Sequence, residues 1–223
     1  MRAVPTRAER QARTRAELVD AAERLFTSKG FHATSVDAVA AEAGYTKGAV
    51  YSNFRSKEDL FFALYERRLE RRLQEFEALM ASAPSALEGL VGAARTAAPR
   101  SDADDGWIAV FFEFWAHVLR HPELRERFAR LHKRIVEPLE AGLVRLAEER
   151  GVELPEDPRK LATARYAMLT GLQLERLTQP EVVDRELGAR ILRLALDEGG
   201  LDGLPHQAAS GLRTRRPRKQ GAA

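Results

Sequence analysis

Cysteine is absent from the 223 residues of this chain, which excludes disulfides and thiolate metal sites and fits a reducing, cytoplasmic setting. Long apolar runs are also missing. The longest, Trp107 to Leu119, is interrupted by Glu113 and His117, and falls short of the roughly 20 apolar residues that span a bilayer. The basic N-terminal stretch MRAVPTRAERQARTR has no apolar segment of the signal-peptide kind, so no membrane partner is expected. No run alternates with period two, whereas apolar residues recur throughout at spacings of three and four, which predicts an all-α fold. A Gly-rich phosphate loop, a Ser/His/Asp or Cys/His set and a converging carboxylate pair are all lacking. Neither an enzyme nor a cofactor is expected.

Charge is present but unevenly placed. The formal net charge is +3, yet residues 1–57 hold ten Lys/Arg against six Asp/Glu, and residues 213–223 hold five Lys/Arg and no acid. The 155 residues between carry a net −6. Basic ends around an acidic body suggest a phosphate-attracting surface at one end. For the N-terminal arm, solvation of a charged helix face accounts for the same residues equally well. Arg213, Arg215, Arg216, Arg218 and Lys219, with Pro217 among them, predict a disordered solubilising tail.

The densest signal lies between Val39 and Leu60. Val36, Val39, Ala40 and Ala43 place their apolar atoms on one face of a short helix, Gly44 supplies a turn, and Val50 and Phe54 repeat the pattern at i, i+4. This leaves Lys47, Gly48, Tyr51 and Ser52 facing outward, a set better suited to a phosphate-lined groove than to packing. Ser35 is placed to cap the first helix, with Thr34 and Asp37 at the spacing of a loose capping box. Ser56, with Glu58 and Asp59, announces a third helix, at whose N-terminus Lys57 is placed to meet a phosphate. Upstream, Leu18, Ala21, Ala22, Leu25 and Phe26 form an amphipathic helix ended by Gly30.

The stretch Gly44 to Leu60, GYTKGAVYSNFRSKEDL, resembles the DNA-binding signature of the tetracycline-repressor (TetR/AcrR) family of bacterial transcriptional regulators, and order and spacing also match from Leu18 to Ala40. The resemblance implies that Thr46, Lys47, Gly48, Tyr51, Ser52 and Asn53 touch bases or phosphates of double-stranded DNA and that Lys57 binds phosphate. Backbone N–H groups near Ser35 and Val36 are expected to hold phosphates as well. Ser52 and Asn53 stand where the family often places an aromatic residue and a histidine.

Beyond Leu60 the pattern predicts helices over Lys57 to about Leu79, around Leu87 to Val91, Trp107 to Leu119, Pro122 to about Glu149, Arg159 to Thr178 and Glu181 to Asp197, with a loop from Ala97 to Gly106. The charged run Glu66 to Arg72 is assigned to the exposed side of its helix. The resulting domains are 1–57 for DNA binding, 58–82 as a connecting helix, 83–204 for effector binding and dimerisation, and 205–223 as tail. At 100° per residue, Trp107, Phe111, Phe114, Trp115 and Val118 share an arc that Ile108, Phe112 and Leu119 extend, so this side of the helix must be buried. Its ordinary meaning is a central packed helix. The family resemblance adds an inducer pocket in this domain, to which Trp107, Phe111, Phe114, Trp115, Met168 and Leu172 are assigned, with an apolar or aromatic small-molecule effector. Glu113, His117 and His121 have metal-ladder spacing, but Glu113 and His117 fall opposite the aromatic arc, which predicts a solvated face and no metal.

Each of the last two helices carries two apolar faces. On the first, Leu161, Met168 and Leu172 form one and Tyr166, Leu174 and Leu177 the other. On the second, Val183, Leu187, Ile191 and Leu194 oppose Ala189, Leu192 and Leu196. One face can cover the domain's own core while the other needs a partner, which predicts a homodimer through a four-helix bundle. The chain thus reads as a ligand-responsive DNA-binding regulator, most simply a repressor on a near-palindromic operator. The alternative is a constitutive or architectural DNA-binding protein with a solid second domain.

Overall fold

The computed structural model describes residues 6–97 and 102–197. Among them all regular structure is helical: α1 (Arg7–Lys29), α2 (Val36–Glu42), α3 (Lys47–Tyr51), α4 (Lys57–Ser82), α5 (Ala86–Ala97), α6 (Asp102–Arg120), α7 (Pro122–Arg150), α8 (Pro158–Thr178) and α9 (Leu187–Leu196). The basic C-terminal residues Arg213 to Lys219 lie outside the described residues.

The N-terminal helices start and stop where local chemistry directs. Thr6 and Glu9 form a reciprocal capping box at α1, and Ser35, Thr46 and Ser56 each accept a backbone N–H at the start of α2, α3 and α4. Gly44 has φ +73°, a left-handed turn that a residue with a Cβ adopts only under strain. The Thr34–Asp37 capping box does not form. Thr34 is buried and its hydroxyl donates to Gly30 O at 2.7 Å, which leaves the cap to Ser35.

Helix α4 ties the fold together. Its first half buries Leu60, Phe61, Phe62 and Leu64 in a core shared with α1, α2, α3, α6 and the start of α7. A second core joins α5, the later part of α7, α8 and α9 around Leu90, Val136, Leu143, Leu146 and Leu192. The first core therefore runs through the helix-turn-helix unit into Trp107, Phe111 and Phe114 of α6. At the junction Gly106 brings α6 against α1: a Cβ there would sit 2.5 Å from Thr27 O, so a larger residue forces the helices apart.

Several expectations are corrected by packing between distant segments. Helix α6 begins at Asp102, within the predicted loop, because Asp104 pairs with Arg68 at 3.1 Å and Asp105 pairs with Arg176; acids also suit a helix start. Helix α9 begins at Leu187 instead of Glu181, since Asp184 accepts from Glu186 N at 2.8 Å and from both Nη atoms of Arg190, stabilising a turn. Leu119, assigned to the buried arc, is 58% exposed at the end of α6. The charged run on α4 is only partly a solvated face: Glu70, Arg71 and Arg72 are exposed, while Glu66, Arg67 and Arg68 are half-buried. Arg67 reaches Asp20 and Glu23 at 2.5 Å, and Arg68 pairs with Glu23 and lies 4.5 Å over the Trp107 ring, because α1, α5 and α7 all pack on this helix.

Candidate DNA-binding surface and effector cavity

Helices α2 and α3 present a short, polar, outward surface. Val50 and Phe54 are buried and anchor α3 to the core. Lys47 stays exposed and pairs with Asp37 of α2 at 3.0 Å; the hydrogen bond to Asp37 raises its pKa above the usual lysine range. Tyr51 is 51% exposed, high for a large ring. A Cβ at Gly48 would meet only Thr46 Oγ1, at 3.7 Å, so the protein itself imposes no steric need for glycine there. Its smallness benefits only something approaching from outside.

The remaining assigned residues are partly engaged inward. Ser52 Oγ donates to Ala49 O at 2.9 Å, and Asn53 Nδ2 donates to the same carbonyl at 2.8 Å, which closes the end of α3. Ser35 and Val36 lie at the start of α2, where Ser35 Oγ takes up Ala38 N at 3.1 Å. Lys57 Nζ donates to Phe31 O at 2.8 Å and to His32 O at 3.4 Å, and lies 4.3 Å from the Phe31 ring centre. Burial lowers its pKa, with Glu58 and Glu113 opposing. Two of its three donors thus serve the α1–α2 connection.

The face of α6 expected to be solvated in fact grips that connection. Glu113 accepts from Phe31 N and His32 N, each at 2.8 Å, one with each carboxylate oxygen. His117 packs edgewise on Phe31 and His32 and stacks on His121 at 4.1 Å. Burial first, then His121, lowers its pKa despite Glu58, so the ring is neutral near pH 7. No cluster of metal-ligating residues occurs among the described residues. Sequence reading missed the Glu113 contact because its partners are backbone atoms, which leave no residue-type signal.

A cavity of about 290 Å³ lies between α4, α5, α6, α7, α8 and α9. Of the six residues assigned to a pocket, Trp107 and Phe111 line it; Phe114, Trp115, Met168 and Leu172 do not. Phe114 is fully buried and stacks on Phe61 at 4.0 Å, and Trp115 packs on Phe128 and His132. The cavity takes in residues that sequence reading passed over: Tyr65, Arg72 and Phe76 of α4, and Arg165 and Tyr166 of α8. Their helical spacing was visible, but the same spacing marks any covered face.

A helix-turn-helix unit sharing a core with an all-helical domain that encloses a cavity defines a DNA-binding transcriptional regulator. Residues 18–64 match the model of bacterial regulatory proteins of the tetR family, and residues 86–199 match that of the BetI-type transcriptional repressor C-terminal domain. The chain belongs to the TetR family of transcriptional regulators. It is 30% identical over 135 residues to the HTH-type transcriptional regulator YfiR of Bacillus subtilis, a match covering 58% of this chain and 63% of that protein. Against an HTH-type transcriptional repressor of Mycobacterium tuberculosis the identity is 28% over 200 residues, 90% of this chain and 84% of the other. A solved regulator from Saccharomonospora viridis, in complex with choline, has the same fold, with a TM-score of 0.71 at 21% identity over 84% of this chain and 97% of that one.

Proposed function

We propose that the protein is a repressor that binds a near-palindromic operator as a homodimer and is released by a small molecule bound in the cavity. The observation that carries this reading is that one helix serves both sites. Helix α4 buries Leu60, Phe61 and Leu64 in the core beneath the DNA-reading surface, and from Tyr65 onward contributes Tyr65, Leu69, Arg72 and Phe76 to the cavity wall. A ligand that favours one setting of α4 changes the placement of α3. Two α3 helices related by a two-fold axis would enter major grooves about 34–36 Å apart, so a small displacement breaks register with both half-sites. A coupling of ~1–3 kcal/mol changes operator affinity roughly 5- to 150-fold, and operator DNA must weaken ligand binding by the same factor.

Selection of bound DNA from a random pool tests the DNA side; a single asymmetric site or no enrichment would remove the reading. Within a selected operator, Lys47→Ala is expected to lose about 1–3 kcal/mol of discrimination at one base pair. Lys57→Ala should instead weaken binding on all sequences and reduce the salt slope by about 1, through the donor that Lys57 does not use on Phe31 and His32. Binding with unchanged preference and affinity in Lys47→Ala would refute its assignment as base reader.

The apolar surface left on α9 supports the dimer. Ala189, Leu192 and Leu196 are buried, while Leu194 is 73% exposed and Leu187 and Ile191 are half-covered. On α8, Leu174 is also exposed. Uncovered leucines on two neighbouring helices suit a four-helix contact between two copies. Sedimentation is expected to give twice the chain mass of 24.9 kDa; a single-chain mass at micromolar concentration would exclude it.

A further inference from the structure

The cavity wall is apolar over most of its extent and carries charged side chains as well. Helices α6 and α7 contribute Trp107, Phe111, Ile135 and Leu139, and the lining also includes four arginines, Arg68, Arg71, Arg72 and Arg165, and two carboxylates, Glu75 and Asp104. Arg68 is already paired with Glu23 and Asp104. Arg165 is different: among the described residues it makes no ion pair, and its Nε is buried with no hydrogen-bond partner. The Tyr65 hydroxyl is likewise buried and unpartnered. Unmet donors of this kind inside a protein destabilise the fold unless a ligand or water completes them.

These side chains line the same cavity. Arg72 Nη1 donates to Thr96 O at 2.7 Å, and Arg72 sits close enough to the Tyr166 hydroxyl to lower its pKa against the stronger effect of burial. Burial first, and then the neighbouring Tyr166 phenol, raise the pKa of Tyr65. Burial pushes both Arg72 and Arg165 below the usual arginine range; Glu75 partly offsets this for Arg72, and no charged group does for Arg165. Arg72 lines the cavity and retains accessible surface.

We propose that the cavity takes an amphipathic oxyanion, with its head on Arg165, Arg72 and the Tyr65 hydroxyl and its apolar body against Trp107, Phe111, Ile135 and Leu139. Guanidinium groups match the planar acceptor geometry of a carboxylate or phosphate. A cationic head is disfavoured by the arginines, and the Trp107 face that would receive one already carries Arg68 at 4.5 Å. Size sets the body. At about 30 Å³ per water in the liquid, the cavity of about 290 Å³ has room for on the order of ten non-hydrogen atoms. This inference rests on the reading of the cavity as an effector site.

Calorimetric titration of the full chain with four ten-carbon probes tests it: decanoate, decyl phosphate, 1-decanol and decyltrimethylammonium. At least one anion is expected to bind about tenfold or more tighter than the alcohol, with the ammonium weakest; the order of the two anions separates a carboxylate from a phosphate head. Arg165→Gln should abolish the preference for the anion by weakening the anions about tenfold more than 1-decanol, and Arg165→Lys should retain most of it. Equal or tighter binding of the alcohol or the ammonium would overturn the oxyanion proposal and leave the effector reading standing, as would an anion preference that survives Arg165→Gln. Failure of all four probes to bind would overturn both.

Discussion

Phe61→Ala is expected to destabilise the protein by about 3–5 kcal/mol. Phe61 is fully buried and its ring meets Phe26 and Phe31 at 5.6 Å, Trp107 at 5.6 Å and Phe114 at 4.0 Å. Those partners come from α1, the α1–α2 connection and α6, so truncation empties the point where the DNA-reading unit meets the effector domain. Surrounding helices are fixed by their own contacts and collapse only partly into the void, which adds a cavity term to the lost transfer energy. At roughly 2–4 °C per kcal/mol for a chain of this size, the melting temperature should fall by about 6–20 °C. A loss below about 1 kcal/mol by chemical denaturation would mean that the two parts of the chain do not share one core.

Glu113→Ala should separate coupling from stability. The carboxylate bonds two consecutive backbone N–H groups, of Phe31 and His32, while Lys57 bonds the two carbonyls of the same residues. The α1–α2 connection is thus held between α6 on its N–H groups and α4 on its carbonyls. Removing the carboxylate leaves two donors without their charged acceptor, and about 2–4 kcal/mol of stability is expected to go with it. The diagnostic effect is on response. With α6 no longer fixed to this connection, a ligand in the cavity should change operator affinity by much less than in the native protein, whatever the operator affinity itself becomes. Operator titrations with and without ligand decide this, and a full native response in Glu113→Ala would show that coupling runs through α4 alone.

Much of the helix-turn-helix unit was legible because its determinants are local. Gly44 marks a left-handed turn, Ser35 and Ser56 mark helix starts, and Val50 and Phe54 fix which side of α3 is buried; each signal acts within a few residues. The effector region was legible only as helices. Phe114 and Trp115 share the aromatic arc with Trp107 and Phe111, yet only the latter pair reaches the cavity. Periodicity assigns a residue to a covered face and contains nothing about whether the cover is a neighbouring helix or a void. The same ambiguity hid Arg72 and Arg165, whose spacing is that of an ordinary charged face until α5, α7 and α8 are in place.

The sequence by itself determined an all-helical chain, a helix-turn-helix with its outward residues, and two terminal helices with more apolar surface than one core needs. Helix periodicity and capping are set by neighbours three or four positions apart, and that range lies within the sequence pattern. Only the tertiary structure decided that α6 clamps the α1–α2 connection, that α4 runs from the helix-turn-helix core to the cavity, and that arginines of α4 and α8 line that cavity. The clamp between Glu113 and Phe31 spans 82 positions, and contacts of that separation are selected by how helices pack, through close approaches such as Gly106 on Thr27 and shared rings such as Phe61.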